Sequence, residues 1–163
     1  MHPETPEEGM SLEQLFGGRI KDLDAAQKRL KQVAQDLGLP LSDRKMTYTS
    51  RVAQELGKWA EEQGKGDAFH EVVFRAYFVD CLNIGKVDEL VKLAKSLGLP
   101  EQEARSVLEQ RTYKEAVDAD WARSHEMGVS VVPTFMVDDQ AVEGAQPYEI
   151  LEKLLLACGA KKR

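Results

Sequence analysis

The chain lacks a pair of closely spaced cysteines. Its only two, Cys81 and Cys158, stand far apart, and neither belongs to a Cys-x-x-Cys motif. That spacing excludes a redox dithiol built from neighbouring thiols. It leaves each cysteine to be read as a small buried hydrophobe, Cys158 being the one placed for partial exposure, and a structural disulfide is not expected in a reducing compartment. Long apolar runs are lacking too, since no stretch approaches the roughly 18 residues that a bilayer-spanning helix needs. Positive charge is in deficit. The 22 Lys and Arg against 28 Asp and Glu give a formal charge of −6, which excludes nucleic-acid backbone binding as the main activity. The closing Lys161-Lys162-Arg163 reads as a solvated end. The opening His2-Pro3-Glu4-Thr5-Pro6-Glu7-Glu8 is polar and acidic, unlike a secretory signal, so the expected location is the cytoplasm. Gly-rich phosphate loops, Ser–His–Asp order and zinc-ligand spacing are all missing. His70 and His125 fall on different expected helices without a second ligand at metal spacing, so no metal or resident cofactor is expected.

What is present is mostly helical periodicity. The 163 residues, 42% of them hydrophobic, suffice for one domain with a real core. Ser11 and Gln14 have capping-box spacing for a short helix that Gly17-Gly18 breaks. Lys21 to Leu37 reads as an amphipathic helix with Leu23, Ala26, Leu30, Val33, Ala34 and Leu37 on one face, stopped by Gly38 and Pro40. Leu41 to Thr49 reads as a connecting loop, partly extended around Met46 and Tyr48. Ser50 is placed to cap a helix carrying Val52, Leu56, Trp59 and Ala60, and Asp67 to cap another over Ala68 to Leu82. The latter, with Phe69, Val72, Val73, Ala76, Tyr77 and Val79, is expected to be the most buried. Trp59, Trp121, Phe74 and Tyr77 read as core. Val87 to Leu97, Glu101 to Gln110 and Tyr113 to Met127 complete the helical region.

After Gly128 the pattern changes. Val129, Val131, Val132, Phe135, Met136 and Val137 form a β-branched and aromatic run expected to enter a buried strand. Pro133 inside that run must stand at the strand's first residue or at an edge, because it has no N–H for a ladder. Pro133 to Val137, the turn Asp138-Asp139-Gln140 and Ala141 to Glu143 make a hairpin. Pro147 then opens a helix running to about Ala157.

Val132-Pro133-Thr134-Phe135 at the mouth of a strand resembles the cis-proline loop of the thioredoxin superfamily. Gly144-Ala145-Gln146-Pro147 before the last helix, Phe74-Arg75-Ala76-Tyr77-Phe78 and Asn83-Ile84-Gly85 narrow the resemblance. The order of these segments is similar to DsbA-like thiol–disulfide oxidoreductases of the FrnE group, relatives of 2-hydroxychromene-2-carboxylate isomerases. The implied fold is an α/β thioredoxin-like fold of DsbA type, incomplete. Residues 1–20 would be a lead-in with a short helix, residues 21–127 a helical region including the DsbA-type insertion, and residues 128–163 the second half of the core. The half that carries the family's Cys-x-x-Cys has no counterpart here, so the chain is expected to be a fragment or a natural half-protein, and inactive alone.

The resemblance also implies a site. Pro133 would follow a cis bond, with Val132 offering its backbone to a thiol- or disulfide-containing peptide or to glutathione. Gln146 would contact such a ligand, or else cap the final helix. No residue is assigned a catalytic role. A noncatalytic strand-pairing or protein-binding module and a glutathione-dependent isomerase remain as alternatives. An unpartnered strand edge next to Phe135 and Val137 is expected to pair with a second copy.

Overall fold

Ser11 Oγ accepts the Gln14 N–H at 3.1 Å and Gln14 Oε1 accepts the Ser11 N–H at 2.9 Å, so the expected capping box forms. It opens helix α1, Leu12–Phe16, which Gly17 closes in the left-handed conformation. The computed structural model describes residues 5–17 and 22–161. Residues 1–4, Gly18, Lys21, Lys162 and Arg163, named above, lie outside the described residues. Just before α1, strand β1 (Met10–Ser11) pairs antiparallel with β2 (Met46–Thr47). Gly9 leads into that pair with φ of 82°, and a side chain there would run into the Thr47 carbonyl and the Tyr48 ring.

Helix α2, Leu23–Asp36, starts with Asp22 Oδ1 accepting the Ala25 N–H at 2.8 Å. It ends where Gly38 takes a positive φ. Of its apolar face only Ala34 is buried. The centre of the first unit is instead α3 (Arg51–Glu62), which packs on α4 (Gly66–Phe78), α5 (Val87–Ser96) and α6 (Glu101–Gln110). Leu56, Trp59 and Ala60 from α3, Phe69 from α4, Leu90 from α5 and Leu108 from α6 form the heart of this core. Helix α7 spans Lys114–Glu126.

Several expectations need correction here. The most buried helix is α3, not α4. Phe74 is 60% exposed and does not belong to the core. Asp67 stands inside the first turn of α4 rather than at its cap, because the helix begins at Gly66, two residues before the expected Ala68. Ser50 occupies the cap position of α3, but its hydroxyl accepts from the Gln54 side chain instead of a backbone N–H. Helix α4 stops at Phe78, short of Leu82, and Cys81 takes a φ of 55°.

The chain divides into two compact units, residues 1–117 and 118–163, at a point inside α7. In the second unit β3 (Thr134–Val137) pairs antiparallel with β4 (Gln140–Glu143), in the register Thr134 to Glu143 through Val137 to Gln140. Asp138, with φ of 54°, makes the tight turn between them. Helix α8 (Tyr148–Ala157) packs on both strands. The strand expected to be buried is not: Phe135 is 38% exposed, and among the described residues of this unit only Leu154 is buried. A strand becomes buried when covered on both faces and paired on both sides, and β3 has only β4 beside it among the described residues. No helix among the described residues is long and apolar enough to cross a membrane.

Candidate functional site

The loop from Gly128 to Pro133 is pinned at its ends and open in the middle. At its start the Gly128 N–H donates to the His125 carbonyl and the Val129 N–H to Ser124, both at 2.9 Å, so the end of α7 is closed by its own backbone. At its end Thr134 Oγ1 donates to the Val131 carbonyl at 2.7 Å, and the Gly144 N–H donates to the Pro133 carbonyl at 2.8 Å. The Val132–Pro133 peptide is cis. Between these clasps Val132 is 87% exposed, and neither its N–H nor its carbonyl has a hydrogen-bond partner among the described residues.

Gln146 belongs to the same corner. Its Nε2 donates to the Glu143 carbonyl at 2.6 Å, and Glu143 stands opposite Thr134 in the hairpin register. The side chain thus holds the turn after β4, while the cap position of α8 is taken by Pro147 without a side-chain hydrogen bond. The structure brings Val132, Pro133 and Gln146 together through Gly144 and Glu143. Thr134 and Gly144 were not singled out from sequence as site residues. Threonine directly after Pro133, able to reach back three residues, and a glycine at φ of 82° were the signals that could have found them.

Thiol chemistry is absent from this corner. Cys158 is half-buried, with Sγ 3.8 Å from the Val137 carbonyl, at the far end of β3 from Pro133. Val137 lies four residue steps beyond Pro133, roughly 13 Å at the usual rise per residue. Cys81 belongs to the first unit, is half-buried and follows the end of α4. His125 Nδ1 is engaged with the Trp121 carbonyl at 2.8 Å, and His70 Nε2 lies 4.0 Å from Glu61. No cluster of three His, Cys, Asp or Glu among the described residues is placed to hold a metal ion. The arrangement can present an apolar surface and unpaired backbone groups to an extended ligand.

The profile of the DSBA-like thioredoxin domain matches residues 3–156. The Bacillus subtilis (strain 168) protein YwbO is 32% identical over 133 residues, covering 79% of this chain and 66% of YwbO. The chain therefore spans just under two thirds of that relative's length. The crystal structure of the probable DsbA oxidoreductase SCO1869 from Streptomyces coelicolor superposes with a TM-score of 0.84 at 24% identity, covering 99% of this chain and 74% of that one. At that identity the likeness is one of fold.

Proposed function

This chain belongs to the DSBA-like thioredoxin domain family and has its fold, and from that premise we propose that it supplies the ligand-docking wall of a thiol–disulfide oxidoreductase site. The reading extends to the FrnE-like group within the family. The observation that carries it is Val132, whose exposed backbone has no hydrogen-bond partner among the described residues while Thr134, Gly144 and Gln146 hold the loop around it. An extended peptide can complete such a backbone as it would a strand edge, with main-chain hydrogen bonds giving affinity. Disulfide exchange needs a thiolate that attacks a disulfide sulfur and a second thiol that resolves the mixed disulfide. This sequence has no closely spaced pair of cysteines, so the part in that exchange that its residues fit is binding the ligand.

A second reading, a strand-pairing module, is favoured by the other edge of β3. It has no strand beside it among the described residues, and a strand supplied by another molecule would satisfy it.

Amide chemical-shift titration of the full chain tests the first reading. Glutathione disulfide and a short cysteine-containing peptide should move the signals of Val132, Thr134 and Gly144. The same chain should show no insulin-reduction activity. Ligand-induced shifts confined to residues away from this loop would overturn the docking role. Turnover abolished by Cys81→Ser or Cys158→Ser would overturn the assignment of the thiols. Response to glutathione but not to the peptide would favour a glutathione-dependent isomerase relative over a protein-directed one.

A further inference from the structure

Helices α2 and α4 border a cleft of about 540 Å³ in the first unit, with a mostly apolar lining. Leu30, Val33, Leu37 and Leu39 from α2 and its end, with Phe74 and Phe78 from α4, all face it, and each is at least 36% exposed. At side-chain areas of about 150–200 Å² these six leave roughly 500–600 Å² of apolar surface in water. That is at the upper end of what a monomer's surface carries, and most of the ~800 Å² that one partner contributes to a stable interface.

The charges at this face narrow the occupant. Glu71 and Arg75 line the same cleft one helical turn apart. Neither side chain has an ion-pair or hydrogen-bond partner among the described residues. Glu71, Phe74, Arg75 and Phe78 follow the spacing that puts them on one helix face. An anionic amphiphile in the cleft would meet Glu71, and a cationic one would meet Arg75. Two copies of α4 crossing antiparallel about a twofold axis near Phe74 satisfy both charges at once. Glu71 of each copy then lies within reach of Arg75 of the other.

We infer that the α2/α4 face is a self-association surface on which a second copy of this chain docks with twofold symmetry, burying the leucine and phenylalanine stripe and pairing Glu71 with Arg75 across the axis. The interface is self-complementary, so it closes at the dimer. It lies wholly in the first unit and depends neither on the redox reading nor on the β3 edge.

Sedimentation velocity of the full chain over a wide concentration range tests this. The unaltered chain should show a monomer–dimer equilibrium, and Phe74→Glu should remove the dimer from the accessible range. Glu71→Arg and Arg75→Glu should each weaken association by about threefold to tenfold, as two lost surface ion pairs would. The combined E71R/R75E chain should recover it. Both charged residues are exposed, so these swaps keep the fold even where Phe74→Glu does not. A monomer at every concentration would sink the inference. So would a dimer that survives Phe74→Glu but is lost in Met136→Pro, or a double swap no better than either single one.

Discussion

Glu55 has no exposed side-chain surface, yet it sits in a helix that otherwise buries apolar groups. Arg51, one turn earlier, donates to Oε1 at 2.8 Å, and Arg111 donates to both carboxylate oxygens at 2.6 Å. Arg51 also donates to the Lys114 carbonyl at 2.7 Å, so one carboxylate joins α3, the end of α6 and the start of α7. Burial alone would raise the Glu55 carboxyl pKa. The hydrogen bonds from Arg111 and Arg51, and their charges, outweigh that and hold it below the usual value. A depressed folded-state pKa means that the ionised carboxylate favours the fold. The stabilisation is complete above the unfolded carboxyl pKa of about 4.3 and is lost as pH falls through the lower folded value. Glu55→Ala should cost about 3–5 kcal/mol in urea unfolding at neutral pH, as breaking a buried pair does. Glu55→Gln should flatten the acid dependence below about pH 4.3. Parallel pH profiles for Glu55→Gln and the unaltered chain would refute this role.

Among the elements, the hairpin and α3 mark two extremes. The β3–β4 ladder has four residue pairs and helix α8 beside it, and a lone two-stranded sheet is marginal in water. Helix α3 has Leu56 and Ala60 fully buried, with neighbours on three other helices. Local opening should follow that contrast. In hydrogen exchange, the ladder amides of Phe135 and Val142 should exchange at least about tenfold faster than those of Trp59 and Ala60. Equal protection would show that the hairpin is held by more than its own ladder. The hairpin's existence was legible from the turn Asp138-Asp139-Gln140 between two apolar runs, although Gln140 belongs to β4 and the turn proper has two residues. Helices α5 and α6 were legible from their apolar spacing, and Gly98 and Pro100 between them marked the break. The β1–β2 pair was not, because two-residue strands carry no periodicity. The burial of β3 was misread for a different reason. Its apolar sequence suits a covered strand, but the coverage would have to come from elements this sequence does not supply.

For the whole molecule, the division at residues 117 and 118 separates a unit with a large helical core from one with a single buried residue among those described. The two tryptophans fall on opposite sides of that division, Trp59 in α3 and Trp121 in α7. Trp121→Phe leaves fluorescence reporting on the first unit, and Trp59→Phe leaves it reporting on the second. The Trp121 signal should change at lower urea concentration than the Trp59 signal, because the second unit buries little apolar surface to stabilise it. Coincident transitions would mean one cooperative unit. Membership of the DSBA-like thioredoxin domain family accounts for the fold of both units. The sequence alone accounts for the want of paired thiols.

Sequence by itself determined what depends on neighbours within a few residues. The capping box at Ser11, the stops at Gly38 and Gly98, the presence of a turn at Asp138 and the placing of Pro133 at the mouth of a strand are all of that kind, since each is set by local backbone geometry or by a missing N–H. Tertiary structure decided which helix face meets another. It put Phe74 in water and Glu55 in the core, tied Glu55 to an arginine 56 residues away, and paired Met10 with Thr47. Apolar spacing shows that a helix has a face to bury. Whether that face is covered depends on residues brought close only by folding, and for α2 and β3 the chain does not supply them.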